Sequence, residues 1–235
     1  MKQEQSSRIL TSLLSGAEKK ALVWLAQRQP RWVTSDMLTA IGVVGAVVVA
    51  IGYVLSGYHI GWLWLASLGY VINWYGDSLD GTLARVRMTQ RPIYGFYLDH
   101  NIDGVTIAIM CIGAGLSHML HLGIAFGVLT VYLLLSISVY INAHLKGEFR
   151  LTYAGMGPTE FRLIMIVANT LYALIVPLRT FALHFTLRGN TIALGAFDLV
   201  GLLVLIVLIA IYIDNFVRDA RGYASIDPVK PFHEC

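Results

Sequence analysis

Six apolar stretches, each close to the length that crosses a bilayer, dominate what this 235-residue chain can fold into. They run over Met37–Leu55, Ile60–Tyr75, Phe96–Leu116, Leu122–Leu145, Phe161–Leu183 and Ala196–Phe216. A transmembrane helix needs about 20 mostly apolar residues. The second stretch is short as an apolar run but continues from Gly76 to Arg87 in residues compatible with helix. Breakers and polar groups separate the stretches: Ser56-Gly57, Arg91-Pro92, His118 and His121, Gly155 to Pro158, and Arg188-Gly189-Asn190. Charged residues make up 13% of the chain, against about 25% in a soluble domain. Half of the usual solvated surface is therefore missing. The pattern predicts an all-α integral membrane protein, a six-transmembrane-helix bundle forming one membrane domain over residues 37–220.

Basic residues orient the bundle. Lys2, Arg8, Lys19, Lys20, Arg28 and Arg31 precede the first span, and Arg85, Arg87 and Arg91 lie between the second and third. Lys146, Arg150 and Arg162 follow the fourth, and Arg218, Arg221 and Lys230 follow the sixth, whereas the opposite side holds only Arg179 and Arg188. The asymmetry predicts a multi-pass protein of the cell membrane with both termini cytoplasmic, the tail being residues 221–235. The lead, residues 1–36, contains a stripe of Ile9, Leu10, Leu13, Leu14, Ala17, Ala21, Leu22 and Leu25, flanked by Lys20 and Trp24. That stripe predicts an amphipathic helix lying in the cytoplasmic interface. So long a polar and amphipathic lead does not have the form of a cleaved signal peptide. Cys111 and Cys235 form neither a disulfide framework nor a metal-binding spacing, and no aromatic–basic pattern suggests nucleic acid.

Ionisable residues within membrane spans are costly and mark functional sites. Asp77 and Asp80 end the second span, and Asp99 and Asp103 begin the third. Their i, i+3 and i, i+4 spacings put each pair on one helix face. Pro92 breaks the chain between them, predicting an antiparallel hairpin that turns near Gln90. In such a hairpin Asp77 lies level with Asp103 and Asp80 with Asp99, giving facing pairs about 5 Å apart along the axis. Four close carboxylates repel one another unless a cation joins them. All-oxygen ligands favour Mg²⁺, Mn²⁺ or Ca²⁺ over zinc or copper. Gly81 and Ala84, on or beside the same face, would let a flat ligand approach the backbone. Arg85 could pair with a carboxylate or a phosphate.

Asp77-x-x-Asp80-Gly81-x-x-Ala84-Arg85, nine residues, then Gly95-x-x-x-Asp99-x-x-x-Asp103 resembles the signature of the CDP-alcohol phosphotransferase family. The motif covers 27 residues, and the six-span plan with its lead helix extends the likeness over most of the chain. The resemblance implies that Asp77, Asp80 and Asp99 bind one or two Mg²⁺ or Mn²⁺ ions. It makes Asp103 the general base, also close to the metals, and places Gly81, Ala84 and Arg85, with Asp77 and Asp80, around the CDP group. It further implies phospholipid synthesis at a site facing the cytoplasm, with a CDP-linked donor, a lipid and commonly a homodimer. In most relatives CDP-diacylglycerol gives its phosphatidyl group to a small polar alcohol and releases CMP. In others CDP-choline or CDP-ethanolamine donates to diacylglycerol. Glycines 42, 45 and 52 would permit the close helix contacts of a dimer.

Secondary signals surround this centre. Thr34-Ser35-Asp36-Met37-Leu38-Thr39 resembles the family's Pro-Asn/Asp-x-x-Thr element, which would put Asp36 at the nucleotide; it also reads as a helix cap by Thr34 or Ser35. Asn73 could reach the metal site or bond a neighbouring helix. Glu160 and Arg162, with Arg150 upstream, could bind the polar acceptor, while Thr159 and Glu160 also suit a helix start. His100, one residue off the Asp99 face, should point away from the cluster, and the Asp-His pair resembles the choline/ethanolamine branch. Asp198 is expected to cap the far end of the last span, and His118 and His121 to be solvated. An ion-coupled transporter is the reading from another class, but Gly104 to Met110 offers little for an ion to follow across the membrane.

Overall fold

The computed structural model describes residues 15–146, 157–187 and 190–229. Helix α1 (Ser15–Arg28) leads into α2 (Ser35–Ser56), and a single 3₁₀ turn (Ile60–Trp62) opens α3 (Leu63–Val86). Then come α4 (Pro92–Gly115), α5 (Leu122–Lys146), α6 (Pro158–Leu174), the short α7 (Val176–Thr180), a hairpin of β1 (Ala182–Leu187) and β2 (Asn190–Gly195), and α8 (Ala196–Ile226). Among the described residues, three helices, α2, α5 and α8, are long and apolar enough to cross a membrane by length and composition. The sequence explains why the others read more weakly. Helix α3 carries Asp77, Asp80 and Arg85, α4 carries Asp99 and Asp103, and α6 has only 17 residues, with Glu160 and Arg162 in its first turns.

The fifth stretch departs from the expected helix to Leu183. Helix α6 stops at Leu174, and Ile175 is extended; Pro177 has no amide hydrogen to give to a continuing helix and sits instead in the first turn of α7. The chain then forms an antiparallel ladder from Ala182↔Gly195 to Leu187↔Asn190, so this mostly helical fold is not purely α. At the other end, α8 runs ten residues beyond the predicted Phe216, to Ile226.

Glycine sets the closest packing. Helices α2 and α3 lie so near that a Cβ at Gly45 would collide with the backbone of Asn73, and one at Gly52 with Ala66. From the other side, a Cβ at Gly69 would meet Val49 N at 2.6 Å, and one at Gly76 would strike Gly42 and the Leu38 carbonyl. The glycines expected to serve a dimer are therefore used inside the chain. A second copy would have to pair through other surfaces. Gly113 of α4 is similarly closed against Ala50 of α2. Helix α4 packs on α2 and α5 rather than along α3, so the two acidic helices splay instead of forming a tightly packed pair. Their carboxylates face the space between them.

Helix α1 packs on α3, with Leu22 and Ala26 buried among Val33, Leu38, Leu79 and Leu83. Its Lys19, Lys20 and Trp24 face outward. Residues 8–14 of the stripe lie outside the described residues. Glu18 fastens the helix by accepting from Trp74 Nε1 at 2.9 Å and from Thr159 Oγ1 at 2.5 Å. At its end, Gln29 Nε2 donates to Tyr75 OH at 2.7 Å, while Arg87 donates to the carbonyls of Gln29, Pro30 and Val33.

At the opposite end, Asp198 is 3% exposed and caps α8 by accepting from Gly195 N at 2.8 Å. It also accepts from the His121 amide at 2.7 Å and lies 2.9 Å from His121 Nδ1, so this histidine is tied down rather than simply solvated. Asp198→Ala removes all three partners from one buried carboxylate. Its expected cost is about 2–3 kcal/mol, read as a lower melting temperature in detergent. An unchanged melting temperature would contradict the latch.

Candidate active site

The site is built where α3 ends and α4 begins. The chain reverses over residues 87–91, with Pro92 as the first residue of α4, where its missing amide hydrogen costs nothing. Carboxylate oxygens of Asp77, Asp99 and Asp103 come within 4.8 Å of one another. Oxygen donors at this spacing can close around one hard cation, which fits Mg²⁺ or Mn²⁺.

Asp80 stands outside that three-residue group, though within electrostatic reach of Asp99 and Asp77. It is buried, and its Oδ2 accepts from Thr39 Oγ1 at 2.6 Å. Ser35 Oγ donates to the Asp80 carbonyl at 3.0 Å. The start of α2 thus serves two purposes. Thr34 Oγ1 caps it by accepting from Met37 N at 3.2 Å, while Ser35 and Thr39 hold Asp80. Asp36 points to the rim, half exposed and 3.5 Å from Arg91 Nη1.

Among the described residues, a Cβ at Gly81 would meet only Arg85 Nη1, at 3.5 Å. The exposed Arg85 donates through Nη2 to Thr82 Oγ1 at 2.9 Å. Ala84 is partly buried beside it. Nothing among the described residues lies within 4 Å of a Cβ at Gly95. Gly81, Ala84 and Arg85 therefore share an accessible end of α3.

Helix α6 adds what sequence reasoning had placed elsewhere. Arg162 Nη2 donates to Asp77 Oδ2 at 2.5 Å, and its Nε to Asn73 Oδ1 at 2.8 Å. Asn73 Nδ2 in turn donates to the Gly42 carbonyl at 2.9 Å, so Asn73 joins α3 to α2 and α6, the helix-bonding role of the two considered for it. Glu160 accepts from Gly157 N at 3.0 Å and caps α6. Arg150 lies outside the described residues.

Two tyrosines escaped the sequence reading. Tyr132 lies within electrostatic range of Asp103, Asp77 and Arg162, and Tyr140 within range of Asp103 and Asp99. Their eight-residue spacing on the apolar α5 puts both on one face, a signal available in the sequence. His100 is buried and stacked on Phe96, with ring centroids 4.1 Å apart, and meets Tyr140 edge-on at 5.3 Å. It is packed chiefly between α4 and α5.

A helical membrane fold with an acidic centre between two splayed helices defines the class. The sequence matches the CDP-alcohol phosphatidyltransferase family over residues 32–196, and the chain belongs to that family. It is similar to a phosphatidylinositol phosphate synthase of Cutibacterium acnes, with 34% identity over 84 residues, covering 36% of this chain and 38% of that protein. It is also similar to cholinephosphotransferase 1 of Danio rerio, with 32% identity over 96 residues, 38% of this chain and 25% of that protein. The alignments thus span well under half of either relative.

Proposed function

We propose that this chain is a divalent-cation-dependent phosphotransferase that moves a phosphatidyl group from CDP-diacylglycerol to a hydroxyl of a small polar alcohol and releases CMP. The convergence of Asp77, Asp99 and Asp103 carries this reading, in a chain whose family acts on CDP-alcohols. Asp77, Asp80, Asp99 and Asp103 would hold one or two Mg²⁺ or Mn²⁺ ions, with Asp80 sharing its carboxylate between Thr39 and the cation. Bound there, the ions would neutralise the pyrophosphate and the departing CMP.

Asp103 takes the proton of the attacking hydroxyl. The acceptor oxygen bonds to the phosphatidyl phosphorus, the bond from that phosphorus to the CMP oxygen breaks, and CMP leaves with the electron pair. Proximity of base and hydroxyl supplies much of the advantage. Gly81 and Ala84 leave the backbone open to the nucleotide, Arg85 meets its phosphates, and Asp36 stands at the entrance. The chain crosses the membrane six times with both termini cytoplasmic, α1 lies in the cytoplasmic interface, and lipid enters from the inner leaflet.

A second reading, transfer from CDP-choline or CDP-ethanolamine to diacylglycerol, is favoured by the likeness to a cholinephosphotransferase and by the Asp99-His100 pair. A donor panel separates them. Purified protein with Mg²⁺ or Mn²⁺ is given either donor with its acceptors, and CMP is followed. Release confined to CDP-diacylglycerol supports the first reading; release confined to CDP-choline or CDP-ethanolamine with diacylglycerol replaces it with the second. No release with any donor sinks both.

A further inference from the structure

Arg162 brings a positive charge into the place where a divalent cation would bind. Its side chain is 12% exposed, and its guanidinium joins Asp77 at 2.5 Å and Asn73 at 2.8 Å. Its charge also acts on Asp103. We propose that Arg162 is the built-in counter-cation of the carboxylate cluster, and that a divalent ion loads against it, so that Arg162 sets the cation affinity of the site. The proposal rests on the metal-dependent reading above.

Three physical points support it. Carboxylates brought this close repel one another, and removing an opposite charge from a buried pair is costly, so a metal-free fold benefits from a resident cation. The guanidinium has separate anchors. Nε is held by Asn73, which is itself fixed to the Gly42 carbonyl, so Nη2 can release Asp77 while Asn73 keeps the side chain at the site. Finally, Nη1 is buried without a hydrogen-bond partner among the described residues, which therefore do not fully satisfy the guanidinium where it lies. Moving away from Asp77 therefore gives up one strong contact without dismantling a saturated network.

Coulomb repulsion between this charge and an entering dication weakens cation binding even at the high effective dielectric of a protein site. A merely structural ion pair between α3 and α6 would behave in the opposite way. Breaking it would loosen Asp77 and lower cation affinity.

The test titrates the purified full chain in detergent with Mn²⁺ alone, following free Mn²⁺ by electron paramagnetic resonance, without nucleotide or lipid. Arg162→Gln is expected to tighten Mn²⁺ binding by ~tenfold or more, whereas Arg162→Lys, which keeps the charge, stays within about threefold of wild type. Arg162→Met repeats the neutralisation with an apolar side chain should the glutamine variant not fold. Equal or weaker binding in the folded neutral variant overturns the proposal, as does a lysine variant that tightens like glutamine. Wild-type protein that binds no Mn²⁺ sinks the metal-dependent reading and this inference together, whereas wild-type binding without tightening sinks the inference alone.

Discussion

Asp103→Asn is expected to slow CMP release by about 10³-fold while the protein still binds cytidine nucleotide. Asparagine keeps the shape of the side chain but cannot take the hydroxyl proton, and its amide is a poorer cation ligand. The position makes this side chain hard to replace. Asp103 shares the three-carboxylate group with Asp77 and Asp99, and Tyr132 and Tyr140 approach it from α5. Initial rates of CMP release and nucleotide binding, measured on the same preparation, separate loss of turnover from loss of fold. A variant that keeps more than about a tenth of the wild-type rate contradicts the role of general base.

The largest structural effect is expected at Gly76. An added Cβ would strike Gly42 and the Leu38 carbonyl, with Gly42 Cα at 2.6 Å. These are backbone atoms, so no rotamer change relieves the collision. Gly76→Ala must push α2 and α3 apart, at a cost of about 3 kcal/mol or more. Asp77 is the next residue, and Asn73 lies one turn earlier against Gly42, so the same shift disturbs the carboxylates. A marked fall in melting temperature and little CMP release are expected. Gly123→Ala is the matched control, since nothing among the described residues lies within 4 Å of its added methyl. Equal stability of the two variants would show that the close α2–α3 packing is not a determinant of the fold.

The same pair of helices shows what a sequence can and cannot convey. Apolar length reveals helices α2 to α5 and α8, and the Asp77–Asp103 spacing with Pro92 reveals a chain reversal between two acidic helix faces. These are local properties, carried by neighbours within a turn or two. The use of Gly42, Gly45 and Gly52 is not local. A glycine permits close approach without naming the partner, and here the partner is α3 rather than a second copy.

The same reason hid the contacts that complete the site. Thr39 to Asp80 and Arg162 to Asp77 join residues 41 and 85 positions apart, and no periodicity encodes such a pairing. The splay of α3 and α4 was equally hidden, because equal-rise register describes two packed helices and says nothing of a third helix, α2, on which both pack. The β-hairpin is a different case, since its signal was present. Leu183, Phe185 and Leu187 alternate with His184 and Thr186 before Gly189, a period of two. In a chain of membrane helices, apolar content masked that alternation, although Pro177 already marked a break.

The most direct measurement is CMP release from CDP-diacylglycerol by the purified wild-type chain, followed before chelation, after EDTA, and after Mg²⁺ or Mn²⁺ is restored. A cation-bridged carboxylate site is expected to lose release on chelation and recover it with either ion. Release that continues undiminished in excess EDTA would contradict it.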